Sequence, residues 1–210
     1  NSWPDQAVTY TGKRLDQADL DVWLQVVQLH QEQRAAGLGS EVYFQISPFL
    51  RAIRREKSKA SADWLRASID RMKKATVNFQ NLEGPEGIGL IDRWRLVEET
   101  GFYMLKVNSD MADLYKQGWS KIGLEDRLSL GRSQLHKALH GFIYSHRASP
   151  KRPLEVGHGW LVHLFGEGYG RRRDFLREVR KALQDLKAKG LLREVKERDG
   201  AEEGVFVIVR

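Results

Sequence analysis

Apolar residues in this chain of 210 residues switch from a helical period to an alternating one and back, twice over and in the same order. In the first round Leu20, Trp23, Leu24 and Val27 recur at i, i+3, i+4 and i+7, with Asp16 and Asp19 placed for the first turn. That spacing predicts a helix from about Asp16 to Arg34. Ala35-Ala36-Gly37-Leu38-Gly39 ends it, and Glu41 to Ile46 is a short β-prone run. Ser47-Pro48 reads as the N-cap and first residue of a second helix, running to about Arg55. Ala62, Leu65, Ile69 and Met72 give one apolar face to a third helix from about Lys59 to Lys74. Thr76 to Gln80 is then β-prone, and Ile88 to Val97 with Gly101 to Val107 forms a hairpin about Glu98-Glu99-Thr100.

The second round opens with a long helical stretch, Leu124 to His146, carrying Leu128, Leu135, Leu139, Phe142 and Ile143. Ser149-Pro150-Lys151-Arg152-Pro153 breaks it, and Leu154-Glu155-Val156 leaves room for one strand. A short helix over His158 to Phe165, a turn over Gly166 to Gly170 and a strong helix from Arg171 to Lys189 follow, with Gly190 at the C-cap. Leu191 to Lys196 and Val205 to Val209 pair as a second hairpin around the polar tip Asp199 to Gly204. Helix, short strand, helix, turn, helix, hairpin is the order of a winged helix-turn-helix. The chain is therefore expected to be mainly α with small β-hairpin wings (α+β), built as two tandem winged helix-turn-helix domains over residues 1–121 and 122–210. The repeat is one of element order, not of sequence identity.

Composition narrows the function. The chain has 35 Lys plus Arg against 28 Asp plus Glu, a net charge of +7, and no cysteine. Disulfides, thiolate zinc sites and cysteine nucleophiles are excluded together. No apolar run approaches the roughly 18 residues of a membrane span, and Asn1-Ser2-Trp3-Pro4-Asp5 has no signal-peptide pattern. The missing initiator Met reads as a fragment of a longer chain. The expectation is a soluble cytoplasmic protein with a polyanionic partner.

The helix from Arg171 to Lys189 carries the chemistry. Phe175, Val179, Ala182, Leu183 and Leu186 fall in one stripe, while Arg173, Arg177, Arg180 and Gln184 gather opposite. From Arg171 to Lys181 five Arg, with Arg172 among them, and one Lys meet only Asp174 and Glu178. Arginines at a helix N-terminus oppose the helix dipole, so an external anion is expected to use them. A DNA major groove accepts an α-helix; Arg forks match guanine O6 and N7, and Gln matches adenine N6 and N7. In the first domain the outward stripe Lys59, Asp63, Arg66, Asp70, Lys74 alternates in sign, and the basic charge sits in the preceding turn, with Arg54, Arg55, Lys57 and Lys59. Phosphate or minor-groove contact is assigned there, with a protein partner as the alternative, and base readout to the second domain. Arg147, Lys151 and Arg152 extend the DNA-binding set from a basic stretch between the two domains, read as a linker helix.

No catalytic, metal or cofactor residues are assigned, and no enzyme is expected. His136 and His140 are i, i+4, but His-Lys-Ala-Leu-His has Lys where a zincin needs Glu; they read as hydrogen-bonding or phosphate-touching residues. Glu83 to Gly89 and Gly166 to Gly170 are turns, because neither completes a nucleotide-binding glycine motif. No serine sits in a nucleophile elbow. The six tryptophans read as core and interface packing, with Trp23, Trp64 and Trp160 inside helices.

Tyr10-Thr11-Gly12-Lys13-Arg14-Leu15-Asp16-Gln17-Ala18-Asp19-Leu20-Asp21-Val22-Trp23, Glu98-Glu99-Thr100-Gly101, Leu139-His140-Gly141-Phe142 with Ser145-His146, and the Phe175 to Leu186 helix resemble the TrfA-type plasmid replication initiators. The resemblance spans about Thr9 to Leu192. It implies two tandem winged-helix domains that bind directly repeated origin sequences (iterons), open neighbouring A+T-rich DNA and help load the host helicase. It further implies contacts with the host initiator, sliding clamp and single-stranded origin DNA, and an inactive homodimer formed through the N-terminal domain. Independently of it, two dissimilar domains present no two-fold symmetric face, so directly repeated sites follow more naturally than palindromes. Two helices on one side of B-DNA lie about 34 Å apart, which makes a site of roughly two turns. A transcriptional repressor with the same reading head and a protein-interaction module are the competing readings.

Overall fold

The computed structural model describes residues 8–37, 41–79, 86–114, 123–146, 148–200 and 203–210, in two compact units of residues 1–119 and 120–210. In the first unit Asp16 starts α1 (Gln17–Ala35): its carboxylate accepts the Ala18 and Asp19 amides at 2.7 and 2.9 Å, and the Asp19 carboxylate returns the favour to the Asp16 amide at 3.0 Å. Two orphan donors of the first turn are satisfied by this capping box. The strands β1 (Val8–Thr11) and β2 (Glu41–Phe44) bracket α1, and α2 (Ile46–Ala52) and α3 (Lys59–Lys73) follow. Then come β3 (Thr76–Phe79), β4 (Glu86–Gly89), β5 (Ile91–Val97), β6 (Phe102–Val107) and α4 (Ser109–Leu114). The sheet β2-β6-β5 holds the wing hairpin, antiparallel throughout, and Val42, Phe44, Met104 and Leu105 on it are buried together with Val22, Val26, Leu65, Ile69 and Met72.

Four expectations for this unit need correction. The buried residues of α1 are Val22, Trp23 and Val26 with Asp19, Asp21 and Gln25, while Leu20, Leu24 and Val27 are only half-buried. That helix is apolar on more than one side, so spacing alone does not choose its inward face. Next, α2 begins at Ile46 with Gln45 as N-cap, which puts Pro48 third in the helix, where a missing N–H still costs nothing. The run Ile88 to Val97 bends at Leu90 into two strands of different sheets: β5 joins the wing, and β4 joins an unforeseen sheet of order β1-β3-β4. Finally, α4 was not foreseen; Asn108 caps it, its Oδ1 accepting the Asp110 and Met111 amides at 3.1 and 3.2 Å.

The second unit contains α5 (Leu124–Leu128), α6 (Gln134–Ser145), β7 (Leu154–Gly157), α7 (His158–Phe165), α8 (Arg172–Ala188), β8 (Glu194–Asp199) and β9 (Gly204–Val209), with an antiparallel sheet of order β7-β9-β8. The stretch Leu124 to His146 is two helices, not one: Gly131 turns at φ +68°, a conformation that favours glycine, and Ser133 caps the next helix. Nor is α6 a linker. Its Leu139 and Ile143 lie in the same core as Phe175, Val179, Ala182, Leu183 and Leu186 of α8, and as Phe206 and Ile208 of β9. Burial of each large apolar side chain there contributes about 1.5–3 kcal/mol. The end of α8 is a Schellman turn, Gly190 donating to Lys187 O at 2.9 Å and Leu191 to Leu186 O at 3.0 Å, with Gly190 at φ +73°. Leu191 and Leu192 then enter the core instead of the hairpin, so β8 starts three residues later than the alternation indicated.

Candidate nucleic-acid interface

Charge divides unequally between the units. Residues 1–119 hold 16 basic and 16 acidic side chains, whereas residues 120–210 hold 19 and 12, so the whole excess of +7 lies in the second. Within it α8 has the two faces its sequence foretold. Phe175, Val179, Ala182, Leu183 and Leu186 are fully buried, while Arg171 at the N-cap and Arg172, Arg173, Arg177, Arg180, Lys181 and Gln184 on the helix are exposed. With α7 preceding it across the Gly166 to Gly170 turn and the β8–β9 wing following, α8 stands where a helix-turn-helix carries its groove-reading helix.

These cations are not equivalent. Arg180 donates a fork to Glu197 on β8, Nε to Oε2 at 2.8 Å and a terminal nitrogen to Oε1 at 2.7 Å. The fork raises the guanidinium's pKa and holds the Glu197 carboxyl below the usual range. Arg172 pairs with Glu203 at 2.7 Å, and Arg177 with Asp174 at 3.1 Å one turn back, with Glu178 at 3.7 Å. Arg171, Arg173, Lys181 and Gln184 have no side-chain partner among the described residues. Pairs this exposed are worth about 0–1 kcal/mol, little enough for a DNA anion to compete with.

The wing is also tied to α7. The Glu203 carboxylate accepts the Gly159 amide at 2.5 Å, filling the cap that Gly157 has no side chain to supply, and His158 Nε2 lies 3.0 Å from Glu197 Oε1. The His158 ring packs on Phe206, 4.7 Å between centroids, and covers Gly204 so closely that a Cβ there would stand 2.4 Å from it.

In the first unit the basic turn between α2 and α3 is placed on the surface, with Arg54, Lys57 and Lys59 exposed and Arg54 at φ +54°. Arg55 differs: it is half-buried, its guanidinium 3.3 Å above the Trp64 ring. The middle of the stripe of alternating sign on α3, Asp63, Arg66 and Asp70, is spent internally. Arg66 donates to Asp63 at 2.8 Å and to the Tyr103 hydroxyl at 2.9 Å, and Asp70 accepts from the Trp94 indole at 2.9 Å. Lys151 and Arg152 are exposed in a turn closed by Ser149; Arg147 lies outside the described residues.

No family model matches the chain, and no curated protein matches it by sequence. Solved structures do match it. Domains 2–3 of RctB are similar at 14% identity and a TM-score of 0.64, over 98% of this chain and 87% of that one, and a second crystal structure of the same RctB domains at 12%, 0.65, 97% and 85%. The Pi initiator protein in complex with iteron DNA is similar at 13% identity and a TM-score of 0.56, over 97% of both chains. The chain has their tandem winged-helix fold. This is also the fold that the resemblance to TrfA-type initiators implies.

Several features of this tandem winged-helix protein were not legible from residue order. The histidine pair of α6 separates: His136 bonds Ser133 Oγ at 2.6 Å through Nδ1 and Asp185 at 2.9 Å through Nε2, while His140 is fully buried against Tyr144, with no partner for either ring nitrogen among the described residues. Burial first, then the Arg127 charge, pushes the His140 pKa down to about 4. His136 takes the hydrogen-bonding role the sequence allowed, whereas His140, fully buried, is in no position to touch a phosphate. Ser133, His136 and Asp185 form a hydrogen-bonded chain, but the Ser133 Oγ sits at the N-cap of α6, and the chain joins that helix end to α8. Among the described residues no group of three or more His, Asp or Glu could hold a metal ion, and no helix is long and apolar enough to cross a membrane. Trp160 lies within α7 as expected but is 55% exposed, so it does not take the core half of the core and interface packing read from the tryptophan count.

Proposed function

We propose that this chain is a replication initiator that binds directly repeated origin DNA, reading bases with α8 of its second winged helix. The observation that carries this reading is the basic, outward face of α8 in a unit that holds the chain's entire charge excess. The Pi initiator, which shares the fold along nearly its whole length, is found in complex with iteron DNA. In the major groove, Arg173 and Arg177 would fork onto guanine and Gln184 onto adenine, while Arg171, Lys181, Lys151, Arg152 and Arg147 serve the backbone. Arg54, Lys57 and Lys59 would hold phosphates on the first unit. Origin opening, helicase loading, contacts with host initiator, clamp or single-stranded origin DNA, and an inactive dimer complete the proposed role.

A protein partner for the first unit is the second reading. That unit has no net charge, and its wing sheet exposes Tyr43, Leu96 and Phe102.

The test is selection by the chain from a pool of duplexes with about 30 randomised base pairs, followed by fluorescence anisotropy at about 0.15 M salt. An initiator returns a consensus bound at least about a thousandfold more tightly than a scrambled duplex. Equal, weak binding to both would overturn the reading. Footprints on the encoding replicon then separate origin repeats from a promoter operator, the repressor's signature.

A further inference from the structure

Arg180 sits on the basic stripe of α8 and would be taken, by position alone, for a base-reading residue. Its surroundings argue otherwise. At about 100° per residue, Arg173, Arg177 and Gln184 form the middle of the stripe, and Arg180 lies at the margin next to the buried Leu176 and Leu183. There both ends of its fork are taken by the Glu197 carboxylate, a planar bidentate match that leaves little of the guanidinium to offer a base edge. The same carboxylate reaches His158, the first residue of α7, at 3.0 Å. In the turn of the hairpin Glu203 accepts the Gly159 amide and holds Arg172. Two wing carboxylates thus meet both helices of the helix-turn-helix, one hydrogen-bonded to Arg180 and within ion-pair distance of His158, the other hydrogen-bonded to Arg172 and Gly159.

We infer that Arg180 and Glu197, seconded by Arg172 and Glu203, are positioning residues that fix the wing against the reading helix and thereby set DNA specificity. Both acids lie beside a surface meant for a polyanion, so each repels DNA. Their place there is explained by what they hold. Electrostatics and positioning give opposite signs for removal of Glu197: loss of a repelling charge tightens binding, whereas loss of the strut weakens specific binding and spares generic binding. The inference rests on the proposed DNA reading, and the two fail differently.

The experiment uses the full chain and the duplex it selects from the randomised pool, with a scrambled duplex as reference. The variants are R180A, E197A, R180A/E197A and the charge swap R180E/E197R, with R173A/R177A as the control for base reading; thermal unfolding verifies that each is folded. Positioning requires R180A and E197A each to lower the ratio of selected to scrambled affinity about tenfold, the double variant to be no worse than either, and the swap to recover the ratio to within about threefold. If E197A binds the selected duplex as tightly as wild type or tighter, while R180A and the swap both lose it, Arg180 touches DNA and the inference is overturned. A wild-type chain that selects no sequence, with R173A/R177A indistinguishable from it, overturns the DNA reading and the inference together.

Discussion

His140 shows how a single residue escapes sequence reading. Its spacing from His136 points to a shared role, yet one histidine is bonded at both nitrogens and the other is buried with neither nitrogen satisfied among the described residues. His140 is buried where Arg127 of α5 and Arg210 near the end of the chain come up to α6, a meeting that no local pattern encodes. The consequence is measurable. Its pKa falls from 6.5 to about 4 on folding, with Arg127 and Arg210 opposing protonation, Asp126 favouring it and the Tyr144 ring beside it. The unfolded chain therefore takes up the proton first, and the stability owed to neutral His140 is present above about pH 6.5 and lost as pH falls toward 4. H140L should flatten the decline of melting temperature between pH 7 and pH 4.5; a decline as steep as wild type would assign acid sensitivity to other groups. The α8 face, by contrast, was legible residue by residue, because its 3.6-residue period decides burial and charge together. R173A and R177A should each cost about 1–3 kcal/mol of specific binding, measured by anisotropy against the selected duplex.

At the scale of elements, α3 and α8 were legible nearly to the residue because each has one apolar stripe, and Gly190 marks the end of α8. The sheet β1-β3-β4 was not, since strands of four residues carry too short an alternation to name their partners, and only the register Ile88 opposite Val77 and Val77 opposite Tyr10 assembles them. The start of α1 joins the two cases. Asp16 was legible as a first-turn acid, but Asp19 does more than cap: buried, it accepts the Ser68 hydroxyl at 2.6 Å and pairs with Arg71, joining α1 to α3. Two substitutions three residues apart should therefore differ in size. D16A should cost about 1 kcal/mol, the worth of an N-cap, and D19A about 3 kcal/mol or more, because it strips partners from a largely buried cation and a buried hydroxyl. Urea unfolding of both variants measures the difference; equal losses would reduce Asp19 to its capping role.

At the scale of the molecule the two units share an order of elements and nothing else that a ligand would notice. One is neutral, with Arg66 and Arg71 of its third helix paired internally; the other carries the full excess, with Arg171, Arg173 and Lys181 unpaired among the described residues. Such a chain contains no two-fold axis, so a single copy has no means of reading the two halves of a palindrome alike. The DNA it selects should be asymmetric and about 20 base pairs long, two turns of the duplex, and repeated copies of that site should be bound equally well in direct and in inverted order. A selected site with dyad symmetry would instead mean that two copies read it together, as a dimeric repressor does. Salt separates these from a protein-interaction module. Engagement of about five phosphates gives a log–log slope of affinity against salt near −4 to −5, since each neutralised phosphate releases close to one counterion. Because the charge sits in one unit, replacing Arg171 and Lys181 there should lower that slope by about two, whereas replacing Lys57 and Lys59 in the first unit measures what its basic turn adds. A slope unmoved by the first pair would take the phosphate contacts away from α8.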